Sequence, residues 1–412
     1  MSRKRGFTTV LFGIFISVAV YGQNKADFSR FVVVGDSLSA GYQNSQLIES
    51  GQVHGYANVI ATQAGVSLNL PLLPPPGYPQ ITIQQDYAVV TGVTPVPRLN
   101  TQQTLDVAVP GFTVAALNFL QPPCSPNLAM PIEVMAAEIL NPNCSTNPGP
   151  TALAEAAALK PTTAILWVGS NDVLFSLLFG TNPTDVSTFS ALYHLAATTM
   201  AAASKDLVVA NIPDVTQTAY LRSVPQLAEI LNLPVPMVEA VFGLQPDDMV
   251  TPYAFAAIQA GLAPLPDSVP QGGPPIVMRA SRLEEIRAAV KGYNDTIAKE
   301  AADNGYTVVD IHSLVKDLAA HGQVVGGQKL TTGFMGGFFS LDGVHPTNTG
   351  YAILANEFIK TMNRSLRAGI PPISIEQVSK TDPLIFPDGD HGKHTGHVST
   401  GMADGLRTLG GR

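Results

Sequence analysis

The chain is poor in charge: Asp, Glu, Lys and Arg make up 13% of its 412 residues, about half the share usual in soluble domains. With 45% apolar residues beside so few charges, the composition is not that of a disordered protein. No uninterrupted apolar run reaches the ~20 residues that a spanning helix needs, which excludes a polytopic membrane protein. Positive charge is scarcer still, with 23 Lys and Arg against 31 Asp and Glu. No basic stripe interleaved with aromatics appears beyond the first residues, so nucleic acid is not an expected partner. Two cysteines are too few for a small disulfide scaffold and lack CxxC spacing, so redox catalysis is not indicated.

What is present begins at the N-terminus. Arg3, Lys4 and Arg5 precede an apolar stretch from about Phe7 to Val20, followed by Val20-Tyr21-Gly22 with small residues where a signal peptidase would cut. Residues 1–22 read as an export signal, placing the mature protein in the periplasm, at the cell surface or in the medium. The alternative, an uncleaved anchor, is disfavoured by the shortness of the run. Loss of the signal would remove three positive charges and no negative ones, leaving the mature chain more acidic than the net charge of -8 for the whole sequence. Export implies an oxidising compartment, in which Cys124 and Cys144, within a Pro- and Asn-rich segment, are expected to pair. Such a bridge would close a loop of about 20 residues, worth ~3 kcal/mol in the chain-entropy account; two separate thiols are the alternative. From residue 367 the text turns into Pro- and Gly-rich sequence that reads as a flexible tail to residue 412. Within it His391, His394 and His397 recur at three-residue spacing, but no established ligand geometry supports a metal there.

Between these ends, β-branched apolar runs recur at Phe31 to Val34, Ala164 to Val168, Leu207 to Ile212 and Tyr306 to Ile311. Each is followed by turn residues and a helix-like stretch. Strands alternating with helices imply a parallel sheet covered on both faces. The stripe Leu283, Ile286, Val290, Tyr293 and Ile297 predicts a sheet-packed helix, opened by a capping box at Ser281-Arg282-Leu283-Glu284 and stopped at Asn304-Gly305. Residues 68–100 hold too many prolines for long helices or central strands. Residues 216–280 read as an insertion rich in apolar side chains, either a cap over a site or plain packing against the body.

Four short segments carry chemistry. The first strand runs into Gly35-Asp36-Ser37-Leu38, and a serine at the C-terminal end of a parallel strand stands where open α/β sheets place their ligands. A helix starting after Ser37 would aim N–H groups at an incoming oxyanion, although Gly-Asp-Ser alone is also an ordinary turn. Near the other end, Leu341-Asp342-Gly343-Val344-His345-Pro346 precedes a helix-like run from about Gly350 to Met362. In a turn, the three-residue spacing of Asp342 and His345 lets a carboxylate hold one imidazole nitrogen while the other faces a hydroxyl, as serine activation requires. The amide of Asn171, in Gly169-Ser170-Asn171-Asp172, is a donor suited to a developing negative charge. Gly111, in Asp106-Val107-Ala108-Val109-Pro110-Gly111-Phe112, can offer a backbone N–H where a side chain would leave no room.

Gly35-Asp36-Ser37-Leu38, Gly111, Gly169-Ser170-Asn171-Asp172 and Asp342-Gly343-Val344-His345, in that order, resemble the four blocks of the GDSL, or SGNH, hydrolase family. The resemblance covers roughly residues 27–366 and departs from the pattern at Val109-Pro110, where a small polar residue is frequent. It implies a flavodoxin-like three-layer α/β/α sandwich with a parallel central sheet. It further implies that Ser37 is the nucleophile, His345 the base and then acid, and Asp342 the orienting carboxylate. The oxyanion hole would be formed by the N–H groups of Ser37 and Gly111 and the amide of Asn171, with no metal or cofactor required.

Low charge and the apolar insertion lean the expected substrate towards lipid-like esters, with peripheral contact to lipid. A polysaccharide O-acetyl esterase is the rival enzyme, for which a single Trp and 7% aromatics offer few sugar platforms. A non-catalytic surface binding protein on the same fold is the alternative of another class; it would have no reason to keep Ser37, Asp342, His345 and Asn171 together.

Overall fold

In the computed structural model, residues 25–84 and 87–385 are described. The predicted signal at 1–22 and the His-containing stretch at 391–397 lie outside them. The four predicted strands form one parallel sheet: β1 (Phe31–Gly35), β2 (Thr163–Trp167), β3 (Asp206–Ala210) and β4 (Thr307–Val309), hydrogen-bonded in that order. Val33 aligns with Ile165, and Ile165 with Val208. Beyond β1, residues 105–109 run alongside as a fifth, less regular strand: Val33 N–H donates to the Leu105 carbonyl, and the N–H groups of Val107 and Val109 donate to Val33 and Gly35. The ladder ends at Val109, just before Pro110. Counted along the chain, the spatial order is 2-1-3-4-5, the doubly wound flavodoxin-like order.

Alternation along the strands builds the layers. Val32, Val34, Ala164, Leu166, Leu207 and Val209 face one way, into a core shared with the helices Val186–Ala203 and Ala280–Asn304. Phe31, Val33, Ile165, Trp167, Val208 and Ala210 face the other, towards the helices Tyr56–Gln63, Ile311–His321 and Asn348–Leu366. A side-chain period of two thus gives one strand two apolar faces, which is why these runs lack polar residues.

Three expectations are corrected. The helix Ala280–Asn304 has Arg279, not Ser281, at its N-cap, and no side-chain capping bond there. Instead Asp248, from another part of the chain, accepts from the Ala280 N–H, so a tertiary carboxylate does the work the local sequence suggested for Ser281. Its C-terminal stop at Gly305, φ 77°, is where the sequence put it. Residues 36–42 form hydrogen-bonded turns rather than a helix, because Gly41 takes φ 73° after a single turn. Lastly, residues 367–385, read as the start of the tail, pack on the body. Ala368 and Ile370 are buried, Ile375–Ser379 is a short helix, and Asp382 accepts from the N–H and hydroxyl of Thr349.

The insertion holds the helices Val224–Leu231 and Val235–Phe242 and a three-stranded antiparallel sheet. Val224, Leu227, Val238 and Phe242 are buried in the same core as the Val186–Ala203 helix, so its apolar residues pack against the body. Gln80–Gln84 and Tyr87–Gly92 pair antiparallel away from the central sheet, in keeping with the prolines before them. Cys124 and Cys144 are disulfide-bonded across 20 positions. No helix among the described residues is long and apolar enough to cross a membrane.

Candidate active site

In a 2-1-3-4-5 sheet the chain reverses direction of growth on either side of β1, and a crevice opens at the C-terminal ends of β1 and β2. Ser37 leaves β1 there, and Asn171 opens the helix Asn171–Phe179 after β2. Gly35 is required for close packing: a Cβ on it would collide with the Trp167 carbonyl oxygen and Ser39 Oγ. Asp36 closes the turn by accepting from the Leu38 N–H at 3.0 Å.

The Asp342–His345 turn comes to the same edge from 308 positions away. His345 Nε2 lies 2.8 Å from Ser37 Oγ, and His345 Nδ1 lies 2.8 Å from Asp342 Oδ2. All three side chains are buried, Asp342 completely. Gly343, φ 73°, lets the turn close, and a Cβ on it would stand 3.0 Å from the Tyr220 nitrogen.

An ionised carboxylate in such a place needs donors, and five converge on it. Asp342 Oδ1 accepts from the N–H groups of Val344 and His345 and from Ser340 Oγ; Oδ2 accepts from the Ser45 N–H and His345 Nδ1. Burial pushes this carboxyl up, but the facing imidazole and the N–H groups outweigh it and hold the group below the usual carboxylate range. The Tyr42 ring lies against the imidazole, with centroids 4.7 Å apart.

Asn171 Nδ2 donates to the Phe112 carbonyl at 2.9 Å, and the Val114 N–H donates to Asp172 Oδ2 at 2.9 Å. These two bonds tie the Gly111 loop to the start of the Asn171 helix. Gly111 has φ 84°, a conformation that favours glycine. Among the described residues, the N–H groups of Ser37 and Gly111 meet no protein acceptor. Gly111 is buried beside the cleft but is not one of the residues lining it.

The cleft itself is narrow and apolar, with about 40 Å³ of free volume. Leu38, Trp167, Leu174, Val215, Ile311 and Phe338 are among the apolar residues that wall it around Ser37 and His345. Of the insertion at 216–280, Thr218 lines it and no residue from 219 to 280 does. Among the described residues no three His, Cys, Asp or Glu side chains gather as metal ligands.

Sequence reasoning missed the loop that clamps the Asp342 turn. Besides Ser45, Asn44 accepts from the Leu341 N–H and its own N–H donates to Ser340 Oγ. Both residues have positive φ, 52° and 61°, and the only signal is a run of four polar residues, Gln43 to Gln46, shortly after Gly35-Asp36-Ser37-Leu38.

Three more carboxyls are buried around the site. Burial pushes Asp36 up to about 7, Asp106 to about 8 and Asp172 to about 6, against backbone N–H bonds from Leu38, Ala108 and Val114 that pull each down. A carboxyl that titrates higher folded than unfolded holds extra protons in the folded chain between the two values, so its stabilisation is lost as pH rises through that window. The melting temperature is therefore expected to fall as pH rises from about 5 to about 8, with Asp106→Asn flattening the upper part. A level or rising profile would mean that these carboxyls are ionised in the folded chain. Asp342 acts oppositely and in a lower window, its contribution being lost only as acid protonates it.

The sequence profile described as GDSL-like Lipase/Acylhydrolase matches residues 31–358. The chain belongs to this family. Among solved structures, this GDSL acylhydrolase is similar to an acetylxylan esterase from Geobacillus stearothermophilus: 12% identity, 82% of this chain and 96% of that one covered, TM-score 0.39. It is similar also to a protein from Parabacteroides merdae described as a GDSL-like lipase, with 11% identity, 85% and 99% coverage and TM-score 0.40. An α/β-hydrolase enzyme from the metagenome of Lake Arreo, Spain, gives 12% identity, 82% and 95% coverage and TM-score 0.38. No curated protein matches the chain.

Proposed function

We propose that this GDSL acylhydrolase is an exported serine hydrolase of carboxylic esters that works through an acyl-enzyme. The carrying observation is the continuous chain Ser37 Oγ, His345 Nε2, His345 Nδ1, Asp342 Oδ2, with both links at 2.8 Å. Ser37 Oγ bonds to the ester carbonyl carbon as its proton passes to His345 Nε2. The carbonyl oxygen, now negative, is received by the N–H groups of Ser37 and Gly111 and by the second Asn171 Nδ2 hydrogen, the first being committed to Phe112. When the C–O bond to the alcohol breaks, the alcohol leaves with the proton from His345. Water then attacks the acyl carbon, gives its proton to His345, and the acid departs as Ser37 recovers it. Asp342 stays ionised and keeps the proton of the resting imidazole on Nδ1. Export is supported by the Arg3-Lys4-Arg5 leader and the disulfide.

For the acyl group, the apolar wall supports a lipid-like chain. The size of the cleft supports a second reading: a water needs ~10–15 Å³ of such space, so 40 Å³ holds only a short acyl group unless the walls part. Hydrolysis of p-nitrophenyl esters from acetate to palmitate separates the two. A maximum at eight carbons or longer is expected of a lipid-like ester hydrolase, whereas activity confined to acetate and butyrate would overturn the lipid assignment in favour of a short-acyl esterase.

A further inference from the structure

Ser37 and His345 reach the cleft on separate parts of the chain, so the distance between them has to be held by bonds that cross from one part to the other. The turn that carries His345 is closed on itself: the Ser340 N–H donates to the His345 carbonyl at 2.7 Å, and the Gly343 N–H to the Ser340 carbonyl at 2.9 Å. With His345 Nδ1 on Asp342, these bonds hold acid and base together. They hold neither of them to Ser37.

The crossing bonds come from the short loop that follows the nucleophile. Its root is on Ser37 itself, whose carbonyl accepts from the Tyr42 N–H at 3.1 Å. Gln43 and Gln46 then close the loop by exchanging both backbone bonds, at 3.1 and 2.8 Å, which leaves Asn44 and Ser45 at its tip. Positive φ at both tip residues is the pattern of a tight two-residue turn. From this tip the Asn44 N–H donates to Ser340 Oγ at 3.0 Å, and the Ser45 N–H donates to Asp342 Oδ2 at 2.8 Å. Asn44 Oδ1 accepts from the Leu341 N–H at 2.8 Å. The Ser340 hydroxyl, having accepted from the loop, donates onward to Asp342 Oδ1 at 3.3 Å. Two of the three bonds from the tip are main-chain donors and survive a change of side chain. The third needs the Asn44 carboxamide.

We propose that Asn44 is a positioning residue: its carboxamide, with Ser340 beside it, locks the Asp342–His345 turn to the segment carrying Ser37 and so sets the distance from His345 Nε2 to Ser37 Oγ. This rests on the ester-hydrolase reading. Neither Asn44 nor Ser340 lines the cleft, so their loss is read in turnover and not in substrate binding. A misplacement of about 1 Å between reacting groups can cost as much as about 10²-fold.

The test measures kcat and KM for p-nitrophenyl butyrate in the full chain, with folding at the assay temperature checked by circular dichroism. Asn44→Gly is the informative variant, because glycine keeps the positive φ and the main-chain bonds and removes only the carboxamide. It is expected to lower kcat at least about tenfold while KM stays within about twofold. Asn44→Asp returns an acceptor to the Leu341 N–H and is expected to recover kcat to within about threefold of wild type. Ser340→Ala is an independent probe, expected to lower kcat at least about threefold, again without change in KM. Because both residues act on one turn, the double variant is expected to lose less than the product of the two single losses. A folded Asn44→Gly whose kcat stays within about twofold of wild type, or whose loss lies in KM alone, would overturn the role. Failure of Asn44→Asp to recover turnover would overturn it too. If Asn44→Gly does not fold, Ser340→Ala decides: an unchanged kcat there overturns the lock. Ser37→Ala, assayed alongside, separates the two failures. Ser37-dependent cleavage that is indifferent to Asn44 and Ser340 rejects the positioning role alone; absent or Ser37-independent cleavage rejects the hydrolase reading and the role with it.

Discussion

Ser37→Ala is expected to lower kcat/KM for p-nitrophenyl butyrate by at least about 10³-fold while the protein keeps its fold. Only one oxygen is removed, and it is the one atom in the crevice that meets a base: His345 Nε2 has Ser37 Oγ as its partner. Ser170 lines the same cleft, but its buried hydroxyl has no hydrogen-bond partner and so no route for its proton. It is no substitute nucleophile. A serine-directed phosphonate should add one mass increment to the peptide bearing Ser37 in the wild type and none in the variant. Activity retained within tenfold in Ser37→Ala, or label found on Ser170, would reject the assigned nucleophile. A wild type that takes up no label would favour the binding-protein alternative.

Much of this site is legible along the chain, and the limits of legibility have physical causes. Strands β1 to β3 announce themselves because a parallel strand buried on both faces must be apolar throughout, and Val32 to Val34, Ala164 to Trp167 and Leu207 to Ala210 are. The strand at 105–109 does not, since Asp106 interrupts its apolar pattern and it ends at Val109, just before Pro110; only its hydrogen bonds to Val33 and Gly35 reveal it. The Asp342–His345 pairing is local, three residues apart, and so is readable from spacing. The meeting of His345 with Ser37 is not local and follows only from the sheet order that brings both to one edge. The donors that hold Asp342 are less legible still. A backbone N–H such as that of Ser45 carries no side-chain signature, so its role depends on where the chain turns and not on which residue is there. The same holds for the cap on the Ala280–Asn304 helix, where a distant Asp248 replaced a plausible local serine. The insertion was ambiguous for a related reason: an apolar helix face looks the same in sequence whether it shuts over a cleft or docks on a core.

That network of donors sets the second large effect. Asp342→Asn is expected to lower kcat by about 10⁴-fold, more than a simple loss of charge would suggest, because the amide cannot be accommodated in either orientation. If its oxygen takes the place of Oδ1 and keeps Val344, His345 N–H and Ser340, its NH₂ group points at the Ser45 N–H and at His345 Nδ1. The imidazole then has to accept at Nδ1, which puts its proton on Nε2 facing Ser37, where it can no longer take the serine proton. If the amide is turned over, the NH₂ group faces two backbone N–H groups instead, and the turn that carries His345 is pushed apart. Both arrangements bury a donor against a donor, so a fall in melting temperature should accompany the loss of turnover. KM for p-nitrophenyl butyrate should change little, since Asp342 does not line the cleft. A variant whose kcat stays within tenfold of wild type would mean that Asp342 neither fixes the tautomer of His345 nor steadies its charge. A variant with raised KM and normal kcat would place Asp342 in substrate binding instead.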